Sequence, residues 1–271
     1  TLSYLEKVNW LNERLNEDIN VVEEYRLQRM LAFEYDDNGE PTLTNSICES
    51  HPPQSFDFYY RYTCLAVDDL SYEQRISKLF ELHEKLLEEG WVEFAVSVLA
   101  EIGWMQSSSG NIKQAFQSFE QALSLAKDQR VPWLVLNGVM QDTATLYIMY
   151  GDANYRQKGM QLHKHILERT KALRDDNQLP PEHAQNTIDL TYFNLGVANA
   201  LHERDYEKAL DWLGKVNLEQ AVQAKSALGF SALSAVELGK AELAANYLDQ
   251  SAQLEDQDPV VERYLACYQQ L

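Results

Sequence analysis

One short stripe of side chains returns along this sequence, and it constrains the fold more than any other feature. Between Leu99 and Ala122, the residues Ala115, Phe119 and Ala122 stand at i, i+4 and i+7. That spacing places them on one face of a helix, and the small residues leave room for the ring between them. Gly110-Asn111, just upstream, supplies the positive φ of a tight turn, and Gly103 offers no side chain where the preceding helix must come close. The stripe recurs at Ala209, Leu213 and Val216, again at Ala244, Leu248 and Ser251, and in weaker form at Gly159, His163 and Ile166. The turns recur with it. Gly239-Lys240 lies as far before Ala244 as Gly110 lies before Ala115, Arg204-Asp205 does the same work without glycine, and Gly151-Asp152 has three extra residues before Gly159. A unit of this size cannot bury its own apolar face, so the pattern predicts stacked helix pairs. Such a stack can reach 271 residues without a second globular core.

In Leu99–Lys127, Tyr192–Val216 and Leu228–Leu254 these residues resemble the tetratricopeptide repeat family, with Leu195-Gly196 and Asp205-Tyr206-Glu207-Lys208-Ala209 matching its packing glycine and turn. The resemblance implies an all-α fold, a right-handed superhelix of antiparallel helix pairs forming a TPR-like α-solenoid. The stripe-leading residues Ala115, Gly159, Ala209 and Ala244 are 44, 50 and 35 apart, which departs from an even repeat. Longer helices between Asp128 and Asp189 account for this, as in the divergent long-helix arrays of bacterial regulators.

Upstream, Ser71 and Gln74 form a capping box ahead of a helix over 71–89, closed by Glu88-Glu89-Gly90; a further helix begins at Trp91. Residues 1–34 carry two helical patterns, Leu5, Val8, Leu11, Leu15 and then Ile19, Val22, Tyr25, Met30. Asp36–Pro41 is a turn and Pro52-Pro53 a breaker, so the stretch between is expected to be a loop, with a small hairpin at Asn38-Gly39 as the lesser alternative. Residues 1–70 thus read as an N-terminal helical cap with a long loop, and 71–271 as the repeat array.

Charge and cysteine usage narrow the function. A formal charge of −19 repels phosphate backbones and anionic membranes, so nucleic acid is excluded as a direct partner. No run of roughly 20 apolar residues spans a bilayer. Cys48, Cys64 and Cys267 are odd in number and widely spaced, which argues against a disulfide framework and for a reducing, cytoplasmic setting; a single Cys48–Cys64 bridge is left to geometry. The chain begins at Thr1 and stops within a helical pattern, so it reads as a piece of a longer protein.

Catalytic arrangements are missing from the pattern. There is no GxGxxG, P-loop or GxSxG segment, and no histidine has a second metal ligand at i+4. His163 reads as a stripe residue and His165 as exposed. The pairs Asp68-Asp69, Glu88-Glu89 and Asp175-Asp176 sit at helix ends or loops. The expectation is therefore a protein that binds rather than catalyses, with no metal and no cofactor. The resemblance implies that first helices line a concave groove, and by register Trp104, Ser107 and Ser108, then Gln141, Thr145 and Ile148, then Phe193, Val197 and Ala200 face into it. The basic and Asn side chains with which the best-known family members clamp a terminal carboxylate are absent from matching positions. Phe58, Tyr59, Tyr60 and Tyr62 are too many aromatics for one core face, which marks a second interface. The reading is an interaction or sensory module for a protein, peptide or small ligand, the N-terminal part of a bacterial signalling protein, with a stand-alone scaffold as the alternative and a helical enzyme as the least supported. Homo-oligomerisation is left open.

Overall fold

The computed structural model describes residues 3–17, 21–51, 63–64, 70–219 and 223–254, and every regular element among them is helical. The chain forms two compact units, Thr1–Met105 and Gln106–Leu271.

In the first unit, α1 (Tyr4–Leu15) and α2 (Val21–Asp37) follow the two N-terminal patterns. Ser3 caps α1, its hydroxyl accepting from the Glu6 N–H while the Glu6 carboxylate accepts from the Ser3 N–H. The predicted turn is present, with Gly39 at φ 71°, but the loop expected after it is a helix, α3 (Pro41–Ser50). Pro41, read as the end of the turn, starts the element: in the first turn its missing N–H costs nothing and its φ is already helical. The helix has a reason to form, because it buries Thr44, Ile47 and Cys48. Ile47 and Cys48 join Leu11, Leu27, Leu31, Ala32 and Cys64 in one apolar cluster. There Cys48 and Cys64 are disulfide-bonded, with Cα atoms 5.6 Å apart. This is the single bridge that the spacing left to geometry, and α3 carries Cys48 to it.

The capping box at Ser71 starts α4 (Tyr72–Glu88): the Gln74 N–H donates to Ser71 Oγ at 3.3 Å and the Ser71 N–H to Gln74 Oε1 at 2.8 Å. Leu79, Leu82 and Leu86 form its buried side. Gly90, at φ 81°, ends the turn, and α5 (Val92–Ser108) follows.

The second unit holds α6 (Ile112–Asp128), α7 (Trp133–Tyr150), α8 (Ala153–Asp175), α9 (Pro181–Ala198), a π-helical turn at Asn199–Glu203, α10 (Tyr206–Leu213), α11 (Ala224–Glu237) and α12 (Ala241–Ala252). Each helix packs against the next, and α9 also touches α7 and α11, so the first helices of successive pairs form a layer. This is the arrangement of an α-solenoid. The long second helix expected after Asp128 is α8, with 23 residues.

The stripes supply the core. Ala115, Phe119, Ala122 and Ala126 on α6 are wholly buried, as are Ala209 and Leu213 on α10. A β-carbon placed on Gly196 of α9 would stand 2.5 Å from Leu213 Cγ, so the glycine sets how closely α9 and α10 approach. Gly110 and Gly239 take φ of 79° and 70°, as their turns require. Arg204 takes the same left-handed region at φ 52° without glycine, and the neighbouring Asp205 carboxylate accepts from the Lys208 N–H to cap α10.

Candidate functional site

The first-helix layer of the second unit carries a cavity of about 380 Å³ between α7 and α9. Asn137, Gly138, Gln141 and Asp142 line it from α7, and Asn186, Thr187, Asp189 and Leu190 from α9, with Gln223 at its margin. Asn137 and Gln141 share a helix face because they are four residues apart. Gly138 beside them leaves space: a β-carbon there would meet nothing within 4 Å. Asp189 sits in an otherwise apolar run, Ile188-Asp189-Leu190, and is buried. Its two oxygens accept from Gln185 Nε2 and from the backbone N–H of Asn217, each at 3.0 Å, which ties the segment after α10 to the middle of α9. The Asn137 Oδ1 and Gln141 Oε1 atoms are buried with no hydrogen-bond partner.

Among the groove residues expected from sequence, Gln141 lines this cavity. Thr145 is half-buried one turn further along α7, whereas Ile148 is buried and turned toward α8, its Cγ1 2.9 Å from where a β-carbon of Gly159 would stand. Phe193 makes an edge-on contact with Phe230 of α11 at 6.0 Å between ring centres, and Val197 is half-buried on the same helix. Ala200 is buried in the cluster around Leu213. On α5, Trp104 is half-buried, Ser107 buried and Ser108 exposed. Phe58, Tyr59, Tyr60 and Tyr62 lie outside the described residues. Asn137, Asn186 and Asp189 are additions. Asn137 stands one turn before Gln141, and an acid inside an apolar helical run is the sequence sign of Asp189.

A larger cavity of about 810 Å³ opens on the other side, between α8, the π-helical turn and α10. Lys208 pairs there with Asp205, and Arg156 donates to the Gly151 carbonyl while its Nε is buried without a partner. The 380 Å³ cavity, with acceptors lacking donors, is the better candidate for a ligand. Among the described residues no three His, Cys, Asp or Glu side chains converge as a metal set, and no helix is long and apolar enough to cross a membrane.

Layered helix pairs with glycine-gated contacts define a tetratricopeptide-like helical repeat fold. Among solved structures, the chain is similar to a signal transduction ATPase with numerous domains (STAND) protein with a tetratricopeptide repeat sensor from Pyrococcus horikoshii, at a TM-score of 0.55 and 14% identity. The match covers 92% of this chain and 38% of that one, so this chain spans well under half of that protein's length. No protein-family model matches the sequence, and comparison with curated proteins gives no match.

Proposed function

We propose that the chain is an interaction module that holds a partner polypeptide along the face built by α7, α9 and α11. The observation that carries this reading is the cavity between α7 and α9, where four carboxamides, Asn137, Gln141, Asn186 and Gln223, converge. A carboxamide offers both a donor and an acceptor, which is what an extended peptide backbone asks of a surface. Peptide selection from a random library on the immobilised full chain tests the reading. The Gln141→Ala, Asn186→Ala double variant is expected to weaken the selected peptides about tenfold, ~1.4 kcal/mol, in fluorescence anisotropy; unchanged affinity overturns it.

A small polar ligand in the same cavity is the second reading, favoured by a volume within the usual range for such sites. The repeats of the Pyrococcus horikoshii protein are named a sensor. By analogy we read this chain as the sensory or regulatory part of a signalling protein, with a scaffold as the alternative; the parent reading frame decides between them by whether it encodes an output domain. The cytoplasmic setting is proposed with it, and the bridge tests that setting. Alkylation and mass spectrometry on protein from its native cells would find free thiols at Cys48 and Cys64 in a reducing compartment, and the bond intact in an oxidising one.

A further inference from the structure

The cavity between α7 and α9 has more acceptors than donors. Asn137 is 7% exposed and Gln141 is 8% exposed, and the oxygen of each lacks a partner. On α9, Asp189 is 1% exposed, and both groups that donate to it, the Gln185 amide and the Asn217 N–H, are neutral. A carboxylate has roughly four acceptor positions, so about half of those on Asp189 are unfilled. Asp142 adds a second carboxylate to the lining, and among the described lining residues none is lysine, arginine or histidine. A buried charge met only by neutral donors is costly, and the Asp189 carboxylate is in that position.

We propose that this cavity receives a cationic side chain, the ammonium of a lysine or the guanidinium of an arginine, carried by the partner segment. The proposal rests on the interaction-module reading and gives its partner a chemistry. A phosphate or carboxylate would face two carboxylates. A neutral amide would satisfy one orphan oxygen and leave the Asp189 charge as it is. An ammonium has three N–H donors and a guanidinium five, enough to serve Asn137, Gln141 and Asp189 together while balancing charge. The net charge of −19 draws basic segments toward the whole chain, so encounter and seating favour the same ligand.

Side-chain amide NMR on the full chain tests this, with N-acetyl-lysine methylamide and N-acetyl-arginine methylamide as probes and N-acetyl-norleucine methylamide as the neutral control. Both cationic probes are expected to shift the Asn137 and Gln141 signals saturably, with norleucine about tenfold weaker. Raising salt from about 20 mM to about 300 mM should weaken the cationic probes and leave norleucine unaffected. Asp189→Asn preserves shape and is expected to abolish the difference between lysine and norleucine. Should it lower the melting temperature too far to measure, Asp142→Asn and Gln141→Leu address the same acceptor set. Equal responses to lysine and norleucine, shifts confined to other parts of the chain, or no shift by any probe overturn the proposal. The peptide selection separates the two levels. Peptides that depend on Gln141 and Asn186 without enriched lysine or arginine overturn the cationic anchor and leave the interaction reading standing, whereas peptides indifferent to this face overturn both.

Discussion

The helices α6 and α8 carry successive copies of the stripe and fill its centre differently. On α6 the centre is Phe119, between Ala115 and Ala122, all wholly buried. On α8 it is His163, between Gly159 and Ile166, equally buried, with neither ring nitrogen hydrogen-bonded. Burial pushes the His163 pKa down to about 4. The flanking residue changes too: a β-carbon on Gly159 would lie 2.7 Å from the Ala144 carbonyl oxygen of α7, where α6 tolerates Ala115. The repeat therefore takes a large filler at this point, a ring in these two helices and Leu213 or Leu248 in the later ones, behind a small leading residue. Its polarity is free to vary, and α8 carries an imidazole that is held neutral.

The largest effect expected from this contrast is at Phe119. Phe119→Ala should cost about 3–5 kcal/mol in denaturant unfolding, since it empties a fully buried ring position; a loss under about 1 kcal/mol would mean that α6 collapses onto the gap. Next comes acid. An unfolded histidine titrates near 6.5 and His163 near 4 when folded, so between those values the unfolded chain binds a proton that the folded chain refuses. The His163 contribution is fully present above pH 6.5 and is lost as pH falls to about 4, roughly 3 kcal/mol in all. Melting curves of wild type and His163→Leu across that window measure it, and parallel curves would refute the assignment.

At neutral pH the same His163→Leu change should be neutral or stabilising by about 1 kcal/mol, because it removes two buried polar atoms without partners. Gly159→Ala should lower stability by about 1–3 kcal/mol through overpacking against α7, while Ala115→Gly on α6 should cost about 1–2 kcal/mol through helix propensity and the loss of a buried methyl group. The smallest effect is at the turns. Arg204→Gly should gain no more than about 1 kcal/mol by relieving a left-handed φ, and the direction, read in a thermal melt, would separate that turn from those already built on glycine.

Much of this contrast is legible before folding. His163 falls on the stripe at the same step as Phe119, and the turns at Gly110, Gly239 and Arg204-Asp205 stand where the positive φ values occur. The capping box at Ser71 is equally local, four residues whose hydrogen bonds need no distant partner. The site is less legible. Gln141 can be placed by counting along α7, but Ile148, seven residues on, turns to α8 because Gly159 leaves a space there. Asp189 acquires its partners from Gln185 and from Asn217, and the second is 28 residues away.

The sequence by itself determined the helix pairs, their turns and the size of the residue at each stripe position. Periodicity and glycine act over a few residues, so a linear reading captures them. Tertiary structure alone decided that Pro41 opens a helix, that Cys48 meets Cys64, and that Asn137 and Gln141 face Asp189 across a cavity with too few donors. Those outcomes depend on which surfaces meet after the helices form, and burial in that packing is what turns ordinary amides and a carboxylate into a site that seeks a cation.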